Sequence, residues 1–132
     1  RIGYTAPSNE DCDLRDNLIV NGRLEVVRYR KAIQEGNLVV GKNAPRPAPA
    51  KCILLPNQYD PDRAHLAVYN WAGADAVEVP TTGFLKDGDT AELLDPEDPY
   101  AKPVMTAACR NGAIRIPVPR DFAVYVVRAA RR

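Results

Sequence analysis

Proline sets the limits on what this chain can become. Twelve prolines occur in 132 residues. Each fixes φ, removes a backbone donor and pushes the preceding residue into extended geometry. Pro45, Pro47 and Pro49 take alternate positions within residues 42–50, a segment that reads as a polyproline-II tether between two regions of different character. Prolines 56, 61, 80, 96, 99, 103, 117 and 119 fall between short apolar runs or at their ends, where a sheet ladder loses little. No window of twelve residues carries a 3.6-residue apolar period, so very little helix is expected.

The runs that proline spares read as strands. After the tether they lie at 51–55, 64–71, 76–79, 90–94, 104–108, 113–118 and 122–128. In the second, Leu66, Val68 and Asn70 alternate with Ala67, Tyr69 and Trp71. Bulk on both sides suggests a central strand covered on both faces. Val77 and Val79 flank Glu78, which implies one wet face. Asn111-Gly112 is the strongest hairpin signal, predicted to join 104–108 to 113–118. Seven strands separated by turn signals point to an antiparallel β-sandwich.

Residues 1–41 follow a different rhythm. Asn17-Leu18-Ile19-Val20-Asn21-Gly22 recurs as Asn37-Leu38-Val39-Val40-Gly41, with the two leading Asn residues twenty positions apart. That period suits a β-solenoid coil, which cannot bury its apolar side alone and must stack on a neighbour. Asn tolerates left-handed backbone at coil corners, and stacked Asn side chains can bond along the solenoid axis. The expected fold is therefore all-β: a short β-solenoid remnant over 1–41, the tether, and a β-sandwich over 51–132. Two coils expose the face a third would cover. Ile19, Val20, Val26, Val39 and Val40 are thus expected to pack on the sandwich or on another copy of the chain.

Composition narrows the function. The chain is 45% hydrophobic and 27% charged, enough for one domain, or one with an appendage, that folds without disulfides or metal. Its net charge is +1, and neither half is strongly basic, which argues against nucleic acid or anionic lipid as partners. No apolar run reaches the roughly 18 residues of a membrane-spanning helix. The sequence opens at Arg1 and is expected to be a processed product or part of a longer chain. Cys12, Cys52 and Cys109 are odd in number and widely spaced, and are read as separate half-buried thiols. His65 is the single histidine and Ser8 the single serine, so no nucleophile–His–acid set is expected.

Two groups of residues resemble a known architecture. The strand-Asn-strand-Gly rhythm of residues 13–41 resembles the last coils of right-handed parallel β-helix proteins of the pectate-lyase-like superfamily. The stretch Ala64-His65-Leu66-Ala67-Val68-Tyr69-Asn70-Trp71 is similar to strands of the C-terminal β-sandwich appended to bacterial carbohydrate-active enzymes. So are Asp75–Val79, Leu85–Asp89 and the closing Phe122–Val127. The resemblance implies upstream β-helix coils as partner, a polysaccharide context, and an extracellular or periplasmic location. It transfers no catalytic or calcium-binding residue, because none of these positions matches one.

Candidate sites are few. Tyr69, Asn70, Trp71 and Tyr100 could form an aromatic and amide platform for a sugar, although one Trp in a sandwich more commonly fills the core. Asp87 and Asp89 flank Gly88 and are weak calcium candidates; a solvated turn is the plainer reading. Asp60 and Asp62 around Pro61 read as a turn, and Arg128, Arg131 and Arg132 as a charged end that protects the last strand from edge pairing. No catalytic residue and no cofactor is expected. The leading expectation is a non-catalytic C-terminal accessory module that caps a polysaccharide-acting β-helix. The alternatives are a carbohydrate-binding module, or a fragment keeping part of a lyase or hydrolase cleft in which two carboxylates, or a carboxylate and Arg28 or Arg30, converge on a groove beside the coils.

Overall fold

A computed structural model describes residues 1–4, 8–118 and 120–130. Among these residues every regular element is a strand, and the chain divides into two compact units, Arg1–Arg46 and Pro47–Arg132.

The first unit holds β1 (Asn9–Arg15), β2 (Leu18–Val20), β3 (Tyr29–Glu35) and β4 (Leu38–Val40). All pairing is parallel, β1 with β3 and β2 with β4, and both ladders run at an offset of twenty residues, from Asn9↔Tyr29 to Val20↔Val40. Ile2 and Val26 form a further parallel bridge. The corner before each short strand repeats as well. Asp16 (φ 54°) and Gly36 (φ 65°) adopt the left-handed region at equivalent positions. Gly36 has a second reason to be glycine, because a Cβ there would collide with the Asp16 carboxylate. Of the corner Asn residues, Asn21 (φ 57°) takes the left-handed angle as expected, whereas Asn17 and Asn37 do not. At these two the left-handed angle belongs to the residue before each, and the Asn side chains stack. Asn17 donates to Asn37 Oδ1 through its backbone N (3.0 Å) and its Nδ2 (2.8 Å), while Asn37 Nδ2 donates to Leu14 O (2.8 Å). Arg15 meets Glu35 across the same register, and Arg30 meets Asp11 at 2.9 Å. Of the apolar residues, Val40 is buried, Ile19, Val20 and Val26 are half-buried, and Val39 is exposed.

The segment that follows forms no strand up to Ala50. It turns at Gly41–Ala44, where Ala44 N donates to Gly41 O, and the Ala48–Pro49 peptide is cis. It is not one continuous extended tether.

The second unit is sandwich-like. Its strands are β5 (Lys51–Pro56), β6 (Arg63–Tyr69), β7 (Ala76–Pro80), β8 (Thr90–Leu94), β9 (Met105–Ala108), β10 (Ala113–Pro117) and β11 (Phe122–Ala130). Five form an antiparallel sheet in the order β5-β6-β11-β8-β9, and β10 pairs with β7. Alternation supplies the core. Ala64, Leu66 and Val68 of β6 face inward with Val127 and Ala129 of β11 and Ala91 and Leu93 of β8. Val77, Val79, Ile114 and Ile116 close the core from the small sheet.

Three expectations need correction. Asn111 (φ 52°) and Gly112 (φ 71°) do form a tight turn closed by Arg110 and Ala113. Yet the strands it joins part after that single bridge, β9 to β8 and β10 to β7. The turn carries the chain between sheets, because Ile114 and Ile116 reach the core only when paired with Val79 and Val77. Strand β6 is also not covered on both faces, since His65 on its outer side is exposed. Finally, β11 is central and needs no protection from edge pairing; Arg128 instead donates to Glu92 at 2.7 Å across the β11–β8 ladder. Arg131 and Arg132 lie outside the described residues.

Candidate functional site

Strand parity decides where each candidate residue lies. In β6 and just beyond it, even positions face the core and odd ones the outer surface. Asn70 therefore points inward and Tyr69 and Trp71 outward. Asn70 is buried at 1% exposure. Its Nδ2 donates to Ala74 O (2.7 Å) and Val118 O (3.3 Å), and its Oδ1 accepts from Ala74 N (3.0 Å). The amide ties the 70–75 loop to the end of β10 and has no free group for a ligand.

Tyr69 and Trp71 do come together, at 5.1 Å between ring centroids and 21° between planes. Rings so close and so nearly parallel cover one another's faces. Phe122, opposite Tyr69 in the ladder, lies 5.0 Å away on a tilt of 48°. Tyr69 thus has two ring neighbours and little open face on which a sugar could lie. Trp71 is half-buried but outside the core cluster, and its indole N–H is buried without a partner. Tyr100 is elsewhere: it is almost fully exposed beside Leu94 and Val126, four residues along β11 from Phe122.

Asp87 and Asp89 are occupied with backbone donors. Asp87 accepts from Asn111 N (3.0 Å) and Gly112 N (2.9 Å), and Asp89 Oδ2 accepts from Lys86 N (2.9 Å). Thr81 Oγ1 adds a bond to Gly112 O (3.1 Å) and lies 3.3 Å from Cys109 Sγ. Carboxylates surrounded by N–H groups are oriented for amides, the reverse of what a cation needs. Among the described residues no group of three or more His, Cys, Asp or Glu side chains converges on one point.

The other polar residues have plain roles. Asp60 caps a turn by accepting from Asp62 N (3.1 Å), next to Asn57, which accepts from Tyr59 and Asp60. Ser8 and His65 are exposed. Arg30 is engaged by Glu10 and Asp11 on the surface of the first unit. Burial pushes the Cys52 thiol pKa up.

Sequence reasoning missed a concavity on the second unit. A cleft of about 590 Å³ opens at the end of the sandwich between the 70–75 loop, residues 117–118 and 120–121, and residues 95–96. Asp75, Asp95, Arg120 and Asp121 stand around it, with Tyr125 and the apolar Val104 and Val124 along its wall. These residues belong to four separated segments. Of the polar ones only Tyr125 sits in an apolar run, and there its parity reads as core.

Comparisons with protein-family models, with curated proteins and with solved structures find no match to this chain.

Proposed function

We propose that this chain is a non-catalytic accessory module that ends a stack of parallel β-coils, with the sandwich-like unit as its C-terminal part. The two coils of the first unit are then the end of a β-solenoid, and polysaccharide handling by the coils upstream is the setting. One observation carries the reading. Two successive chain segments stack in parallel at a constant twenty-residue offset, with side chains repeating across it as Asn17 over Asn37 and Arg15 over Glu35. A unit so built extends by repetition, and its stability comes from neighbours.

The upstream edge carries the chemistry for a further coil. Among the described residues strand β1 has one ladder partner, β3. Asn9 N donates to Arg28 O on that side. Asp16 N donates to Glu35 O at the other end of the strand, and Glu10 is skipped in the register, so by alternation the N–H groups of Glu10, Asp11, Asp13 and Arg15 face away from β3 and offer a second parallel ladder. Asn17 occupies in the first coil the place of Asn37 in the second, so an Asn one coil upstream could stack on it in the same manner.

Light scattering and hydrogen exchange test this. The isolated chain should self-associate with rising concentration, and Glu10→Pro should suppress association without unfolding it, since that N–H lies outside the β1–β3 ladder. A chain that stays monomeric while its Asp11, Asp13 and Arg15 amides resist exchange would refute the proposal. Turnover of a polysaccharide by the chain alone would refute its non-catalytic part.

A further inference from the structure

The cleft at the end of the sandwich gathers hydrogen-bonding groups that the fold leaves unused. Asp75, Arg120, Asp121 and Tyr125 line it, and none of them has a side-chain hydrogen bond or ion pair among the described residues. Some charged groups elsewhere on this unit are engaged, Arg128 with Glu92 and Arg63 with Asp60. Asn70 differs from its neighbours in the lining. Its amide is fully committed to Ala74 and Val118, so the 70–75 rim is held in shape before any ligand arrives. Preorganised walls lower the ordering cost of binding.

The lining also defines what would fit. Its volume lies within the roughly 300–1,000 Å³ typical of small-molecule pockets. Three carboxylates stand against one guanidinium, so an anionic ligand is repelled. The carboxylates accept, the guanidinium donates, and a phenol does either. Burial raises the Tyr125 pKa, which keeps that phenol a neutral donor. Val104 and Val124 are 54% and 37% exposed, apolar surface standing open to solvent at the wall. A ligand with many hydroxyls on one side and C–H groups on another answers each feature.

We infer that this cleft is a binding site for a short, uncharged oligosaccharide segment. Neutral sugar hydroxyls would bond Asp75, Asp121, Arg120 and Tyr125, and the C–H face would rest on Val104 and Val124. The site belongs to the second unit alone, so it stands or falls independently of the coil-stacking proposal.

Amide chemical-shift mapping and calorimetry on the full chain test it. The probes are trisaccharides of neutral glucan, xylan, mannan and galactan, with trigalacturonate as the acidic control and trilysine as a cationic one. At least one neutral trisaccharide should bind saturably, with shifts concentrated at residues 70–75, 95–96, 104–105 and 117–125. Arg120→Ala and Asp121→Asn, both at exposed positions, should each weaken it by roughly tenfold, while Trp71→Phe leaves affinity unchanged. Absence of saturable binding by every neutral probe would overturn the inference. So would tighter binding of trigalacturonate or trilysine, or binding lost in Trp71→Phe and kept in Arg120→Ala.

Discussion

Asn70 offers the sharpest test of how the second unit is held together. Its side chain makes three hydrogen bonds, at 2.7, 3.0 and 3.3 Å, to groups on the 70–75 loop and the end of β10. It is 1% exposed, so water cannot replace them. Each such bond is worth about 1 kcal/mol net, and a buried group left without a partner costs about 1–3 kcal/mol. Asn70→Ala strands the Ala74 N–H and two carbonyls, although loop opening would rehydrate some of them. The expected loss is about 2–4 kcal/mol, a large part of the roughly 5–15 kcal/mol that holds a domain folded. With an m-value of about 2 kcal/mol/M, the urea midpoint should fall by roughly 1–2 M. Trp71, the single tryptophan and the next residue in the chain, reports the transition by fluorescence.

Asn70→Asp sharpens the test through pH. The carboxylate keeps the acceptor for Ala74 N but presents its second oxygen to two carbonyl oxygens, and burial opposes its charge. Its folded pKa should therefore lie above the unfolded value of about 3.9. A raised folded pKa gives stability that is complete below the unfolded pKa and lost as pH rises through the folded one. Relative to wild type, the variant should be weakest at pH 7 and recover on acidification at up to about 1.4 kcal/mol per unit. A loss under about 0.5 kcal/mol in Asn70→Ala, or a pH-independent difference in Asn70→Asp, would refute the reasoning.

Other consequences follow from the same geometry. Gly36→Ala meets both a left-handed φ and the Asp16 carboxylate, so it should destabilise the first unit more than Asn37→Ala, which removes about 1–2 kcal/mol of stacking bonds; thermal melts of the two variants give the order. Asp87→Ala releases the 111–112 turn and should lower the melting temperature, and calcium should leave wild type and variant unchanged in calorimetry. Tyr125 titrates above its usual range because of burial. The stability its neutral form contributes is present below about pH 10 and lost as pH rises through the folded pKa, and Tyr125→Phe should flatten that alkaline decline in urea midpoints. Toward a disulfide reagent, Cys109 should stay protected until unfolding, and Cys52 should react more slowly than a free thiol.

The twenty-residue repeat and the period-2 runs were legible because each records local physics. A short β-rich run must expose one face to a neighbour, and proline marks where pairing ends. Tyr69 and Trp71 could be placed together from parity alone, and the same count separates Asn70 from them. Two neighbours in one strand cannot share a face, so a platform of all three was never available.

By itself, then, the order of residues determines an all-strand chain, a repeat of twenty in its first third, and the strand runs that follow the prolines. Tertiary structure alone decides which strands meet. The Asn111-Gly112 turn promises a hairpin locally, but burial of Ile114 and Ile116 against Val79 and Val77 outweighs continued pairing with β9. It also decides the cleft, because Asp75, Asp95, Arg120 and Tyr125 lie on segments whose sequences carry no mark of one another and meet only when two sheets close. Pairing partners and cavities are long-range facts, and no local pattern encodes the distance that folding removes.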